Sequence, residues 1–291
     1  MNSPGNVVIT FDVELAWGAI ESGPWRRRER LGVYKRTRDV IHTLITTMDA
    51  LEIRASWAIV GGLMEEPGRQ KLEHLPNRAR EQIDRAITSG QPDSFDGRDL
   101  IEIISSSKIK QELCSHSYSH TRTDFPGFTE EALNQELLNF ARTIPPGVDF
   151  SKKYIFPRNI IKFTNILKNH GYHSIRGSNL TPTTNSQLGR SIYSAIGSPL
   201  MSKESHLDSG IRQVSGSLFL NTGYRKSYRL PLIWIRSHRG LSIAINNKNT
   251  MHIWCHPFNL AESPGLLSIF ILFLKKVSQY RDSGLLENDF F

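Results

Sequence analysis

Short β-branched runs alternate along this chain with segments of helical periodicity, and few architectures accept that alternation. Val7-Val8-Ile9-Thr10-Phe11 reads as a strand buried on both faces. Between Gly32 and Leu51, the positions Val40, Ile41, Leu44, Ile45, Met48 and Leu51 recur at helical spacing. Ala55 to Val60 is a second strand, closed by Gly61-Gly62, and Glu112 to Ser115 is a third. Thr129 can cap a helix reaching about Thr143, with Glu130 and Glu131 favourable in its first turn. Strands are expected at Tyr154–Pro157, Ser174–Gly177 and Met251–His256, with a last one between Leu285 and Phe291. Helices are expected from Asn159 to His170, from Leu232 to Ile245 and from Pro264 to Arg281. Residues 64–108 are polar and helix-leaning; residues 178–228 carry weak periodicity and read as a long irregular excursion. Strand, helix, strand, helix in this order favours one α/β domain over residues 1–291, a parallel sheet covered by helices.

Composition narrows the class. Hydrophobic residues make up 38% of the 291, enough for an ordinary core, so disorder is excluded as the main state. The net charge of +8 suits either an acidic partner or simply a solvated basic surface. Its densest part, a basic insertion near 21–38, contains Arg26, Arg27, Arg28, Arg30, Lys35, Arg36 and Arg38; it lacks the aromatic interleaving of a nucleic-acid module, and no nucleic-acid partner is expected. Contact with an anionic membrane surface is the milder expectation. Cys114 and Cys255 make no disulfide framework and read as small buried residues. No secretory segment is visible at the start, and the apolar stretch Leu266–Leu274 is about half a bilayer span, so a cytoplasmic location is expected.

The residues with chemical capacity fall at strand ends. His116-Ser117-Tyr118-Ser119-His120 presents two imidazoles four apart, which in a helix or turn point the same way and can share one divalent ion. Asp12 and Glu14, two apart after the first strand, can face a common cleft. His256, between Trp254 and Phe258, could act as a general acid, although a lone histidine is more often a core or capping group. Arg158 and Arg176 at strand ends could orient a carboxylate or hold an anion.

Taken in order, these motifs resemble those of the polysaccharide deacetylases (carbohydrate esterase family 4, the NodB homology domain). Thr10-Phe11-Asp12 is similar to the family's Thr-Phe-Asp-Asp opening, and His116-Ser117-Tyr118-Ser119-His120 to its His-Ser/Thr-x-x-His motif. Phe156-Pro157-Arg158-Asn159 is a rearranged version of its Arg/Pro motif, and Cys255-His256 approximates its late Leu-His motif. The resemblance spans about residues 7–258. It implies a distorted (β/α) barrel, a zinc-like divalent ion on one carboxylate and two histidines, and hydrolysis of an N-acetyl group. Val13 stands where the family's second Asp, a metal ligand, would be, and Glu14 is the natural substitute. The implied assignment is Asp12 as base, with Arg158 holding it; Glu14, His116 and His120 as ligands of one zinc ion; and His256 as acid. The converse roles for Asp12 and Glu14 are the alternative. Trp254, Trp17 and Trp25 could stack on sugar rings or equally serve as core aromatics. The implied substrate is an acetylated aminosugar or glycan precursor, nucleotide- or lipid-linked. Two rivals share the fold: an allantoinase-like cyclic-amide hydrolase and an inactive glycan-binding member.

Overall fold

The computed structural model describes residues 3–180, 197–223 and 226–291. Ten strands form one sheet, in the order β6-β7-β5-β4-β3-β2-β1-β9-β8, where β1 is Gly5–Val13, β2 Ser56–Ile59, β3 Glu112–Ser115, β4 Phe150–Ile155, β5 Ser174–Gly177, β6 Glu204–His206, β7 Arg212–Ser215, β8 Leu218–Phe219 and β9 Thr250–Cys255. β10 (Leu286–Asp289) pairs with the first half of β1, while β2 takes its second half on the same edge. Every pairing is parallel except β6 with β7.

The sheet curls into a barrel that hydrogen bonds do not close among the described residues. What joins its two margins is the chain. β7 pairs with β5, β8 pairs with β9, and only Gly216 and Ser217 separate them. Ser217 donates its backbone N–H to His252 O. A Cβ at Gly216 would collide with the Asn179 side chain and the Trp254 indole nitrogen, so a larger residue at this crossing would have to displace them.

Helices cover the outside: α1 (Trp25–Arg30), α2 (Val33–Leu51), α3 (Asn77–Ser89), α4 (Arg98–Ser105), α5 (Glu130–Thr143), α6 (Thr164–Asn169), α7 (Leu230–Asn247), α8 (Pro257–Glu262) and α9 (Pro264–Asp282). Alternation sorts the strand residues. Val7, Ile9, Phe11 and Val13 join the main core under the helices, with Phe11 stacked on Trp57 at 4.2 Å between ring centroids. Val8, Ala58, Cys114, Ile155, Val214 and Phe291 form a separate small cluster inside the barrel. Above and below that apolar belt the interior is polar: His252, Thr10, Arg176 and Asp12 lie on one side, and Ser56, Glu112 and Lys153 on the other.

Several sequence expectations are refined. Thr129 caps α5 through its side chain, as expected, and both cysteines are buried. The helix expected from Asn159 shrinks to α6, because Arg158, Asn159 and Phe163 adopt left-handed backbone conformations incompatible with a helix. The basic insertion near 21–38 is no appendage; it folds as α1 and the first turns of α2, with Trp25 buried against Phe95. The excursion at 178–228 carries β6, β7 and β8, so it belongs to the barrel; its residues 181–196 and 224–225 lie outside the described residues. No helix among the described residues is long and apolar enough to cross a membrane.

Candidate metal centre and active site

The C-terminal ends of the parallel strands share one face, where side chains from different strands converge. A pocket of about 310 Å³ opens there, lined among others by Asp12, Glu14, His116, His120, Arg158, Arg176, Trp254 and His256. β1 explains why Glu14 and not residue 13 reaches it. Val13, still extended, points outward into the core beneath the helices; the chain then turns at Leu15 (φ 41°), and Glu14 projects over the pocket floor. Gly18 lies against it, and any Cβ there would overlap the Glu14 carboxylate.

The histidine pair sits in a turn. Ser117 and His120 both take left-handed backbone angles (φ 62° and 60°), each costing about 1 kcal/mol for a non-glycine residue. Glu136, buried on α5, holds this turn in place: its Oε2 accepts the backbone N–H groups of Tyr118 and Ser119 at 3.0 and 2.9 Å, and its Oε1 lies 2.8 Å from His74 Nε2. Sequence reasoning missed Glu136. Its signal was present, however: a carboxylate on the apolar stripe Leu133, Leu137, Phe140 of α5.

Glu14, His116 and His120 offer ligand atoms that all lie within 4.8 Å of one another. Glu14 Oε2 is 2.7 Å from His120 Nε2 and 4.0 Å from His116 Nε2, yet it is buried and has no aligned hydrogen-bond donor. The ligand atoms of the three groups thus gather at one place, as around a common centre. His116 Nδ1 donates to Ile155 O at 2.8 Å, which fixes the tautomer and leaves Nε2 with a free lone pair toward that centre. Burial drives His116 down to about 4, so it is neutral at physiological pH, as a ligand must be. Two imidazole nitrogens and one carboxylate oxygen match the donor set of a zinc-type site, so the residues fit the ion implied by the motifs.

Beside this set lies Asp12. Arg176 on β5 grips it bidentately, Nη1 to Oδ1 at 2.7 Å and Nη2 to Oδ2 at 2.5 Å, and also donates to Thr10 Oγ1. Burial would raise the Asp12 carboxyl, but the charge and hydrogen bonds of Arg176, together with the His116 and His256 imidazoles, hold the group below its usual value. This corrects the expectation for Arg158, which is exposed at the pocket rim and does not contact Asp12; β4 and β5 pair so that Ile155 lies opposite Arg176, and Arg158 sits beyond, in its own left-handed turn.

His256 Nε2 lies 2.8 Å from Glu14 Oε1 and 3.9 Å from Asp12 Oδ2, while Nδ1 donates to Asn259 Oδ1 at 2.9 Å. Burial alone would lower His256; the charge and hydrogen bond of Glu14, joined by Asp12 and Asn259, raise the imidazole above its usual value. His256 is also the N-cap of α8 and shares a capping box with Asn259, so its functional and capping readings coexist.

Of the three tryptophans, two take the core alternative and one reaches the pocket. Trp17 is buried, its indole N–H bonded to Phe95 O, and Trp25 packs on Phe95; neither offers a face to a sugar ring. Trp254 lines the pocket, but Phe219 stacks on one of its faces (4.2 Å) and the Arg176 guanidinium lies over the ring at 4.1 Å. Its indole N–H donates to Asn179 Oδ1 at 2.7 Å.

No family model and no curated relative matches this sequence. Solved structures do resemble it. A protein described as a polysaccharide deacetylase from Mycobacterium smegmatis aligns over 99% of this chain and 91% of its own, with a TM-score of 0.61 and 14% identity. Puue allantoinase aligns over 99% and 91%, with a TM-score of 0.60 and 8% identity. A protein described as a polysaccharide deacetylase from Pseudomonas aeruginosa PAO1 aligns over 98% and 87%, at 0.59 and 8%. The chain therefore has the polysaccharide-deacetylase fold in a divergent form.

Proposed function

We propose that the protein is a metal-dependent hydrolase that removes an N-acetyl group from an acetylated aminosugar or glycan precursor. One observation carries the reading: Glu14 Oε2, His116 Nε2 and His120 Nε2 gather around one point, with the carboxylate oxygen buried and lacking a donor. These three residues would hold one divalent cation, zinc by the donor set, which would supply Lewis-acid polarisation of an amide oxygen and acidify a water. Asp12, ionised beside Arg176, takes the proton from the attacking water. His256, protonated at Nε2, gives a proton to the departing amine, which leaves poorly otherwise. Asn259 holds the His256 ring in orientation. Glu14 supplies the carboxylate that Val13 cannot, which favours an active enzyme over an inactive glycan binder.

The fold is as close to an allantoinase as to the deacetylases, so a cyclic amide is the second reading. Acetate release from N-acetylated sugars, run beside ring opening of cyclic ureides, separates them. A His116→Ala/His120→Ala protein should lose bound metal and activity together, whereas Asp12→Asn should keep the metal and lose at least 10²-fold in rate. Unchanged metal content in the double variant, by elemental analysis, would sink the proposal.

A further inference from the structure

The charges around the pocket do not balance. Three guanidinium groups line it, Arg28, Arg158 and Arg176, against two carboxylates, Asp12 and Glu14. Arg176 is consumed by Asp12. Arg28 is neutralised by Glu262 at 2.9 Å and its guanidinium lies over the Phe258 ring, 4.0 Å from its centroid. Glu14 Oε1 is engaged by His256, and its Oε2 lies with the His116 and His120 ligand nitrogens. Arg158 is left: exposed, lining the pocket, and without an ion-pair partner among the described residues. Its position is specified. Arg158 and Asn159 both hold left-handed angles (φ 55° each), and the second of them accepts Arg176 Nε on its Oδ1 at 3.2 Å. The same turn thus ties one residue to the Asp12–Arg176 pair and sends the next guanidinium to the rim.

An uncompensated planar fork at the edge of a pocket suits a phosphate or a carboxylate. We propose that Arg158 binds an anionic group of the substrate, so that the acetylated sugar taken by this pocket bears a phosphate or a carboxylate. This rests on the deacetylase reading and narrows its substrate class.

The test uses the metal-loaded, full-length protein. Four probes are compared for acetate release: N-acetylglucosamine, its 1-phosphate, its 6-phosphate, and N-acetylmuramic acid. The wild type should favour at least one anionic probe by ten-fold or more in kcat/KM, mainly through KM. The phosphate and carboxylate arms identify which anion is recognised. In Arg158→Gln the ratio of anionic to neutral kcat/KM should collapse toward one. Equal rates on all four probes in the wild type, or an Arg158→Gln protein that slows all probes alike and keeps the ratio, would overturn the assignment. Inorganic phosphate binding by calorimetry is the second readout, and should weaken at least ten-fold in Arg158→Gln. If no probe is hydrolysed, the deacetylase reading fails, and the calorimetric difference alone upholds or refutes the anion site.

Discussion

At the two ends of the barrel interior, an arginine and a lysine each pair with a carboxylate, and the two pairs are built differently. At the pocket end Arg176 and Asp12 are 1% and 3% exposed and meet through two parallel hydrogen bonds. At the other end Lys153 and Glu112 are each 12% exposed; Lys153 Nζ lies 2.9 Å from Glu112 Oε1, Ser56 donates to Oε2, and the Phe291 ring lies 5.1 Å from the ammonium. A fork fixes the direction of a carboxylate, while a point charge only balances it. Direction is needed where Asp12 must face the pocket, and balance suffices where Glu112 merely fills the barrel floor. Burying either pair is no stability bonus in itself, because desolvation offsets most of the attraction.

Substitutions can break this contrast. The largest effect is expected at Arg176. Arg176→Lys keeps the charge but loses the fork, and should lower kcat by about 10²-fold or more with metal content retained. Full activity in that variant would erase the distinction between the two ends. Lys153→Met should act on stability instead: it strands the Glu112 carboxylate and should cost about 3 kcal/mol in denaturant unfolding. Adding Glu112→Gln should restore much of that, with kcat/KM near wild type throughout; a large kinetic defect would mean the floor pair also serves the site. The smallest effect concerns His252, between the two ends, which accepts or donates to Thr10 at 3.0 Å. Burial, aided by the Arg176 charge, lowers it from 6.5 to about 3. The unfolded imidazole takes a proton near 6.5 and the folded one does not, so stability is full above that value and falls as pH drops from 6.5 toward 3, by about 2 kcal/mol at pH 5. The pH-stability curve of His252→Gln should be flatter by that amount.

How much of this was legible beforehand depends on which residues carried a local signal. β1 and the histidine turn announced themselves, because an apolar run followed by an acid or paired imidazoles is unusual without a purpose, whereas His256 alone read more readily as a core or capping group. Arg158 and Arg176 could not be told apart, since both follow short strands; only the β4–β5 register and the left-handed turn separate them. Trp17 looked like a sugar platform because a tryptophan near a carboxylate reads the same in a core as in a cleft. β6, β7 and β8 hid in a Ser- and Thr-rich stretch because strands facing a polar interior, or exposed as β6 is, carry no apolar alternation.

The crossing at Gly216 and Ser217 has a mechanical corollary. Elsewhere the sheet is laced by ladders that can slide or breathe one bond at a time, but at this seam two peptide units act as a hoop of fixed length. Arg176 stands one strand to one side of it and Trp254 one strand to the other, so the spacing that lets the guanidinium lie over the indole is set by covalent geometry. A nick in the backbone there would leave each ladder intact and pass the load across the seam to single bonds such as Ser202 N–H to Thr250 O and Trp254 Nε1–H to Asn179 Oδ1.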